Sequence, residues 1–129
     1  MKIKNSKLHQ LLPTDFYFWL LTFEFIIMIV RLWHGKTSAD KAEEYANYVM
    51  QTGIKDYRST PGNLNAQLWQ KTEGDITHIW TVSWWVNIES IKAFAGKNYE
   101  KAKYYKEDKK YLLELEPTVQ HYEAFGEIR

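Results

Sequence analysis

The sequence predicts one α+β domain of order β-α-β-β-α-β, a four-stranded antiparallel sheet with helices on one face. Three observations point there. Runs rich in β-branched and aromatic residues occur at 28–33, 63–72, 76–86 and 118–125. The first two and the last two of these runs are separated by stretches with helical i, i+3, i+4 spacing. Only the middle pair is joined by a connection short enough for a hairpin, Glu73-Gly74-Asp75. Composition agrees with a folded domain: of 129 residues, 45% are hydrophobic and 16% aromatic, enough apolar surface to offset ordering entropy.

Residues 28–33, MIVRLW, are apolar apart from Arg31 and bounded by His34-Gly35, as a buried strand would be. Thr37-Ser38-Ala39-Asp40 has the form of a capping box, whose hydroxyl and carboxylate satisfy N–H groups at a helix start. Ala39, Ala42, Ala46, Val49 and Met50 share a helical face with Tyr45 beside them, and Gly53 falls where a C-cap belongs. Residues 55–62 read as a loop turning at Pro61-Gly62. In 63–72, Leu64, Ala66 and Leu68 alternate with Asn63, Asn65 and Gln67, giving a strand with one wet face. The run 76–86, ITHIWTVSWWV, is nearly apolar on both faces and belongs in the middle of a sheet. Asn87 is an N-cap ahead of Ile88, Ile91, Phe94 and Ala95, with Gly96 as the stop. The lysine-rich 99–115 is helical in pieces up to Pro117, and TVQHYEAF at 118–125 is the last strand. This is the ferredoxin-like, split-βαβ arrangement. Right-handed crossovers place 28–33 beside 76–86 at the centre, with 63–72 and 118–125 as edges. The face without helices carries more aromatic side chains than a monomer exposes to water, which implies a homodimer.

Residues 1–27 read as an N-terminal extension and 28–129 as the domain. Residues 16–30, FYFWLLTFEFIIMIV, hold thirteen apolar side chains in fifteen positions. Following three lysines, the run has the outline of a signal peptide, but no A-x-A-like cleavage site follows and Glu24 interrupts it. As a helix, fifteen residues reach about 22 Å, short of the ~30 Å hydrocarbon core, so no membrane partner is expected. The alternative is that Met28 is the true start. The absence of Cys excludes disulfides, thiolate catalysis, Fe–S clusters and Cys-based zinc sites, and fits a cytoplasmic location. Seventeen Lys and Arg against sixteen Asp and Glu give a formal +1, which offers no electrostatic basis for binding nucleic acid. The strand signature of sheet-based RNA binders is also missing from ITHIWTVSWWV. No G-x-S-x-G, Gly-rich phosphate loop or H-E-x-x-H motif occurs.

His34, His78 and His121 belong to three different strands, and convergence on one pocket would give acid–base groups or metal ligands. The plainer reading, and the one favoured for each, is a partly solvated structural side chain. No pair has H-x-x-H or H-x-x-x-H spacing, so no metal is expected. Trp69, Trp80, Trp84 and Trp85 are candidates for a slot that stacks on a planar ring, against the plainer reading of core and interface filler. Trp84 and Trp85 are adjacent and so face opposite sides of a sheet; the odd offset between His78 and Trp85 separates that pair likewise. Arg31, inside an apolar strand, needs a carboxylate or water. Glu123 on the final strand is its expected partner, and an anionic substrate is the other reading. Tyr57, Arg58 and Asn63 border the Pro61-Gly62 turn as a pocket rim, with Tyr104-Tyr105 ahead of Asp108 as a lid.

The segments MIVRLWHGKT, DYRSTPGN, SWWVNIESIKAFAG and YYKEDKKYLLELEPTVQHYEAF, in that order, cover about three quarters of the chain. Together they resemble an antibiotic-biosynthesis-monooxygenase-like protein of the dimeric α+β barrel superfamily. The resemblance implies a homodimer whose sheets pack face to face, with a pocket in each subunit between sheet and helices. Such proteins include cofactor-independent oxygenases of phenolic or quinol-like compounds and haem-degrading enzymes. Several active members close the third strand with a Trp just before helix two, and Trp85 takes that place here. The haem-degrading members' iron ligand, a His after helix two, has no counterpart in Ala95-Gly96-Lys97-Asn98-Tyr99; their strand-one Asn has none in MIVRLW. No cofactor is therefore expected. The expected function is that of a cofactor-independent monooxygenase acting on a small planar, phenolic or quinol-like substrate in an apolar pocket. His78, His121 and Trp85 are its candidate catalytic residues, with Arg31, His34, Tyr57, Asn63, Trp80 and Tyr105 as candidate substrate contacts. The alternative is a non-catalytic dimeric ligand-binding or stress-associated module on the same fold.

Overall fold

The computed structural model describes residues 27–126; the apolar run at 16–26 lies outside them. Met28–Ala124 make up one compact unit. In chain order the elements are β1 (Ile27–Ser38), a 3-10 turn (Ala39–Lys41), α1 (Ala42–Val49), a π turn (Met50–Ile54) and α2 (Lys55–Ser59). There follow β2 (Asn63–Glu73), β3 (Ile76–Trp85), α3 (Ile88–Ala95), α4 (Asp108–Tyr111) and β4 (Gln120–Phe125). The strands form a four-stranded antiparallel sheet in the order β2-β3-β1-β4 with helices on one face, which is the ferredoxin-like fold. Among the described residues no helix is long and apolar enough to cross a membrane.

Strand alternation decides which side chains meet the helices. In β1, Arg31, Trp33, Gly35 and Thr37 are buried, whereas Leu32, His34 and Lys36 are half-buried on the opposite face. The register Arg31↔Ser83, Trp33↔Thr81, Gly35↔Ile79 and Thr37↔Thr77 continues the buried rows into β3, and Ala66↔Ser83 and Leu68↔Thr81 carry them into β2. Tyr45, Val49, Ile54 and Tyr57 from the α1–α2 segment close over Trp33, Ala66, Ile79 and Trp85, joined by Ile91 and Phe94 from α3. Each such large side chain contributes about 1.5–3 kcal/mol of burial free energy. Asn87 caps α3 as its sequence suggests, its side-chain oxygen accepting from Ser90 N at 2.9 Å.

Several local expectations are corrected. β1 does not stop at His34-Gly35 but pairs with β3 out to Ser38↔Ile76. Gly35 is a packing necessity inside the strand: a Cβ there would lie 2.6 Å from the Trp33 ring and 2.7 Å from Leu112. No capping box forms, because the Thr37 hydroxyl is buried and donates to Tyr111 O at 2.9 Å, and Ser38 makes no side-chain cap. Gly53 does not end the first helix either. The chain passes through it in the π turn and stays helical to Ser59, so only 60–62 of the expected loop is non-helical. Of 99–115, only Asp108–Tyr111 is helical. The rest is irregular, and its stretch 100–102 lies beside the chain ahead of β4, with Ala102 N donating to Pro117 O and Val119 N to Glu100 O, both at 2.9 Å.

Candidate functional site

A cavity of about 30 Å³ lies on the helical side of the sheet. Trp33 and Thr81 line it from the sheet, Tyr45, Val49, Gly53 and Tyr57 from α1–α2, and Phe94, Lys103, Tyr105 and Asp108 from the segments that close it. That volume holds one or two waters, whereas a cavity that accepts benzene is about 150 Å³, so a ring-sized ligand requires a wall to move.

Its polar groups are tied in pairs. The Tyr45 hydroxyl donates to Asp108 Oδ1 at 2.8 Å, and Tyr105 N donates to Asp108 Oδ2 at 2.5 Å. Burial pushes the Asp108 carboxyl pKa up, and these two donors offset the effect only in part. The Tyr105 hydroxyl donates to Asp56 Oδ2 at 2.5 Å, and Lys103 Nζ stands 3.5 Å from the same oxygen. Burial, then the neighbouring carboxylates, raise the Tyr45 and Tyr105 hydroxyls, so both remain protonated donors. The Tyr57 and Thr81 hydroxyls share a hydrogen bond of 3.0 Å. Trp85 is fully buried, edge-on to Tyr57 at 5.9 Å between ring centroids, with its indole N–H donating to Ser83 Oγ at 2.8 Å. It stands behind the cavity wall rather than in it.

Arg31 is also on the helical side, and Glu123 is not its partner. Arg31 Nη1 donates to Tyr99 O at 2.5 Å and meets His121 Nε2 at 3.2 Å; Nη2 donates to Lys101 O at 3.4 Å. Burial, and then the guanidinium, lower the His121 pKa to about 4. The β4 backbone therefore presents His121, not Glu123, to this strand.

The three histidines do not converge. His34 and His78 meet on the opposite, helix-free face of the sheet, His34 Nε2 lying 2.9 Å from His78 Nδ1. Glu116 Oε2 holds His34 Nδ1 at 2.7 Å and Glu73 Oε1 holds His78 Nε2 at 3.3 Å, so the chain reads carboxylate–imidazole–imidazole–carboxylate. Trp80 packs against both rings, with centroids at 5.2 and 5.8 Å, and Trp69 is its cross-strand neighbour. Lys36 and Lys71 flank His78 in register. Asn63 opens β2 beside a bulge, its amide donating to Asn65 O and Trp84 O at 3.2 and 3.3 Å.

Of the residues singled out in sequence, Tyr57 and Tyr105 line the cavity, Trp85 backs it, and Arg31 and His121 form a separate buried pair. His34, His78 and Trp80 cluster on the far face. Asp108, Tyr45, Trp33 and Phe94 were missed as site residues. Asp108 lies in a lysine-rich run that reads as a solvated face, and the only hint is its aromatic company, Tyr104, Tyr105 and Tyr111.

No protein-family model and no curated protein matches the sequence. Among solved structures, one described as a "putative antibiotic biosynthesis monooxygenase" from Nitrosomonas europaea aligns with a TM-score of 0.50 at 11% identity, over 78% of this chain and 90% of that one. A protein of the same description from Bacillus cereus aligns with a TM-score of 0.46 at 12% identity, over 81% and 96%. A Mycobacterium tuberculosis structure aligns at 0.46 and 9% identity, over 80% and 97%. The chain shares its fold with the antibiotic-biosynthesis-monooxygenase-like proteins.

Proposed function

We propose that the protein is a cofactor-independent monooxygenase that oxidises a small planar phenol or quinol in the cavity between the sheet and its helices. The observation that carries this reading is Asp108, a carboxyl 5% exposed on an aromatic-lined cavity, whose proton affinity is raised by burial. Raising a carboxyl toward neutrality improves its match to a weakly acidic substrate proton. Trp33, Tyr57, Phe94 and Tyr105 supply stacking surface for a ring. Asp108 accepts the hydroxyl proton, and the phenolate passes electrons to dioxygen as a carbon–oxygen bond forms at the ring carbon para to it. Loss of water from the hydroperoxide leaves a quinone. One atom of dioxygen enters the product and the other departs as water, so the phenol supplies all four electrons. The protein contributes desolvation, orientation and the base. Trp85 stiffens the wall through Tyr57, and His121 stays with Arg31.

The same reading gives the helix-free face to a second copy of the chain. Trp69, 49% exposed, sits there beside Trp80 and the His34–His78 pair, and large aromatic side chains grouped on a sheet face favour a covering partner. Oxygen uptake measured against a panel of phenols and quinols tests the proposal. Asp108→Asn should lower the rate roughly 10²–10⁴-fold, the range for loss of a general base. Unchanged uptake in that variant would overturn the role of Asp108. Tight binding of phenols without any uptake would favour the ligand-binding module.

A further inference from the structure

Arg31 is 1% exposed, and no Asp or Glu stands within ion-pair distance of it among the described residues. A buried charge without a counter-charge is costly, so its surroundings call for explanation. The guanidinium has five N–H groups. Nη1 is occupied by Tyr99 O and His121; Nη2 has one long bond, 3.4 Å to Lys101 O; the buried Nε has no partner. Nε and Nη2 share one edge of the planar fork, and a carboxylate binds such an edge side-on through two parallel hydrogen bonds. The edge suited to a carboxylate is thus the poorly satisfied one, and every partner on the other edge is uncharged.

Two residues along the same face, the buried Trp33 indole forms part of the cavity wall. Tyr104, edge-on to Trp33, gives its own hydroxyl to Glu116 O. Phe94 connects these groups: its ring forms part of the cavity wall and lies 5.5 Å from the Arg31 guanidinium carbon. A ring-sized ligand needs more room than the cavity has, and a swing of Phe94 would open it toward Arg31.

From this geometry we infer that the pocket takes an aromatic carboxylate, its ring against Trp33 and Phe94 and its carboxylate side-on to Arg31 Nε and Nη2. The inference rests on the cavity being the ligand site proposed above, and adds the charge of the ligand. Benzoate and the near-isosteric neutral benzamide are the probes, titrated calorimetrically into the full chain. Benzoate should bind at least about tenfold more tightly, the usual margin for a charge-assisted pair, and should move the Arg31 Nε–H peak in a nitrogen-edited NMR spectrum. Arg31→Lys, which keeps the charge but loses the fork, should abolish most of that margin. The NMR shift decides the matter in the native chain should the variant fail to fold. Equal affinity for the two probes, or a preference for benzoate that leaves the Arg31 peak unmoved, would overturn this inference while leaving the cavity as a site. Binding of neither benzoate, benzamide nor phenol would overturn the site and the inference together.

Discussion

Replacing His121 by Gln should flatten the acid limb of the protein's stability curve. In the folded chain, burial and then the Arg31 guanidinium 3.2 Å away keep the imidazole neutral down to about pH 4, against an ordinary value of 6.5. Unfolding restores that ordinary value, so between these limits the unfolded chain binds a proton that the folded chain refuses. Stability from this group is fully present above pH 6.5 and is lost as pH falls toward 4, by about 1.4 kcal/mol per pH unit for a whole proton. Across the window the loss would reach about 3 kcal/mol, and solvent screening of a partly exposed ring reduces it to about 1–2 kcal/mol. Gln retains an acceptor for Arg31 and does not titrate. Urea denaturation of both proteins at pH 7 and pH 4.5 isolates the effect, since the carboxylates are common to both. That includes Asp108, whose raised pKa acts in the opposite sense: its stabilising contribution fades as pH rises. The variant should lose about 1–2 kcal/mol less than the native chain on acidification. Equal losses would refute the reasoning and show that the imidazole is not held neutral beside Arg31.

Tyr45→Phe strips Asp108 Oδ1 of its hydroxyl donor and should cost about 1.5–3 kcal/mol in urea denaturation at neutral pH; a loss below 0.5 would mean the pair is solvated. Gly35→Ala forces a methyl group against Trp33 and Leu112 and should cost about 1–3 kcal/mol by the same measurement. Light scattering should return twice the chain mass at micromolar concentration, and Trp80→Glu, on the helix-free face, should return it once; a native monomer would remove the second copy from the proposal.

Strand centres were legible in the sequence because their signal is short-range. Ile79, Thr81, Ser83 and Trp85 fall on one face by parity alone, and the opposition of His78 and Trp85 follows from their odd offset. Boundaries set by tertiary contact were not legible. Gly53 has the look of a helix stop, yet the helix continues because Ile54 and Tyr57 beyond it find buried places against the sheet. Gly35 looks like a strand end, but its lack of a side chain answers to Trp33 and Leu112, the latter distant in sequence. The site suffered most. Asp108 is buried where Tyr45, 63 residues away in α1, reaches it, and nothing in the run KEDKK distinguishes it. Arg31 faced the predicted edge strand, but His121 and Glu123 share a face of β4 by parity, and only the position along the strand, which the sequence does not give, set His121 against Arg31.

β1 is a party wall between the cavity and the helix-free face of the sheet. Arg31 and Trp33 serve the helical side, while His34 and Lys36, their immediate neighbours, serve the other. Substitution can alter either side alone. A change of length cannot, since losing one residue within 31–37 would exchange the two sets, sending an imidazole and an ammonium into the core and a guanidinium and an indole out of it. Descendants of this chain can therefore lengthen or shorten at the exposed Gly74 turn and still keep both faces. Within β1 they are free to change letters but not to change the count.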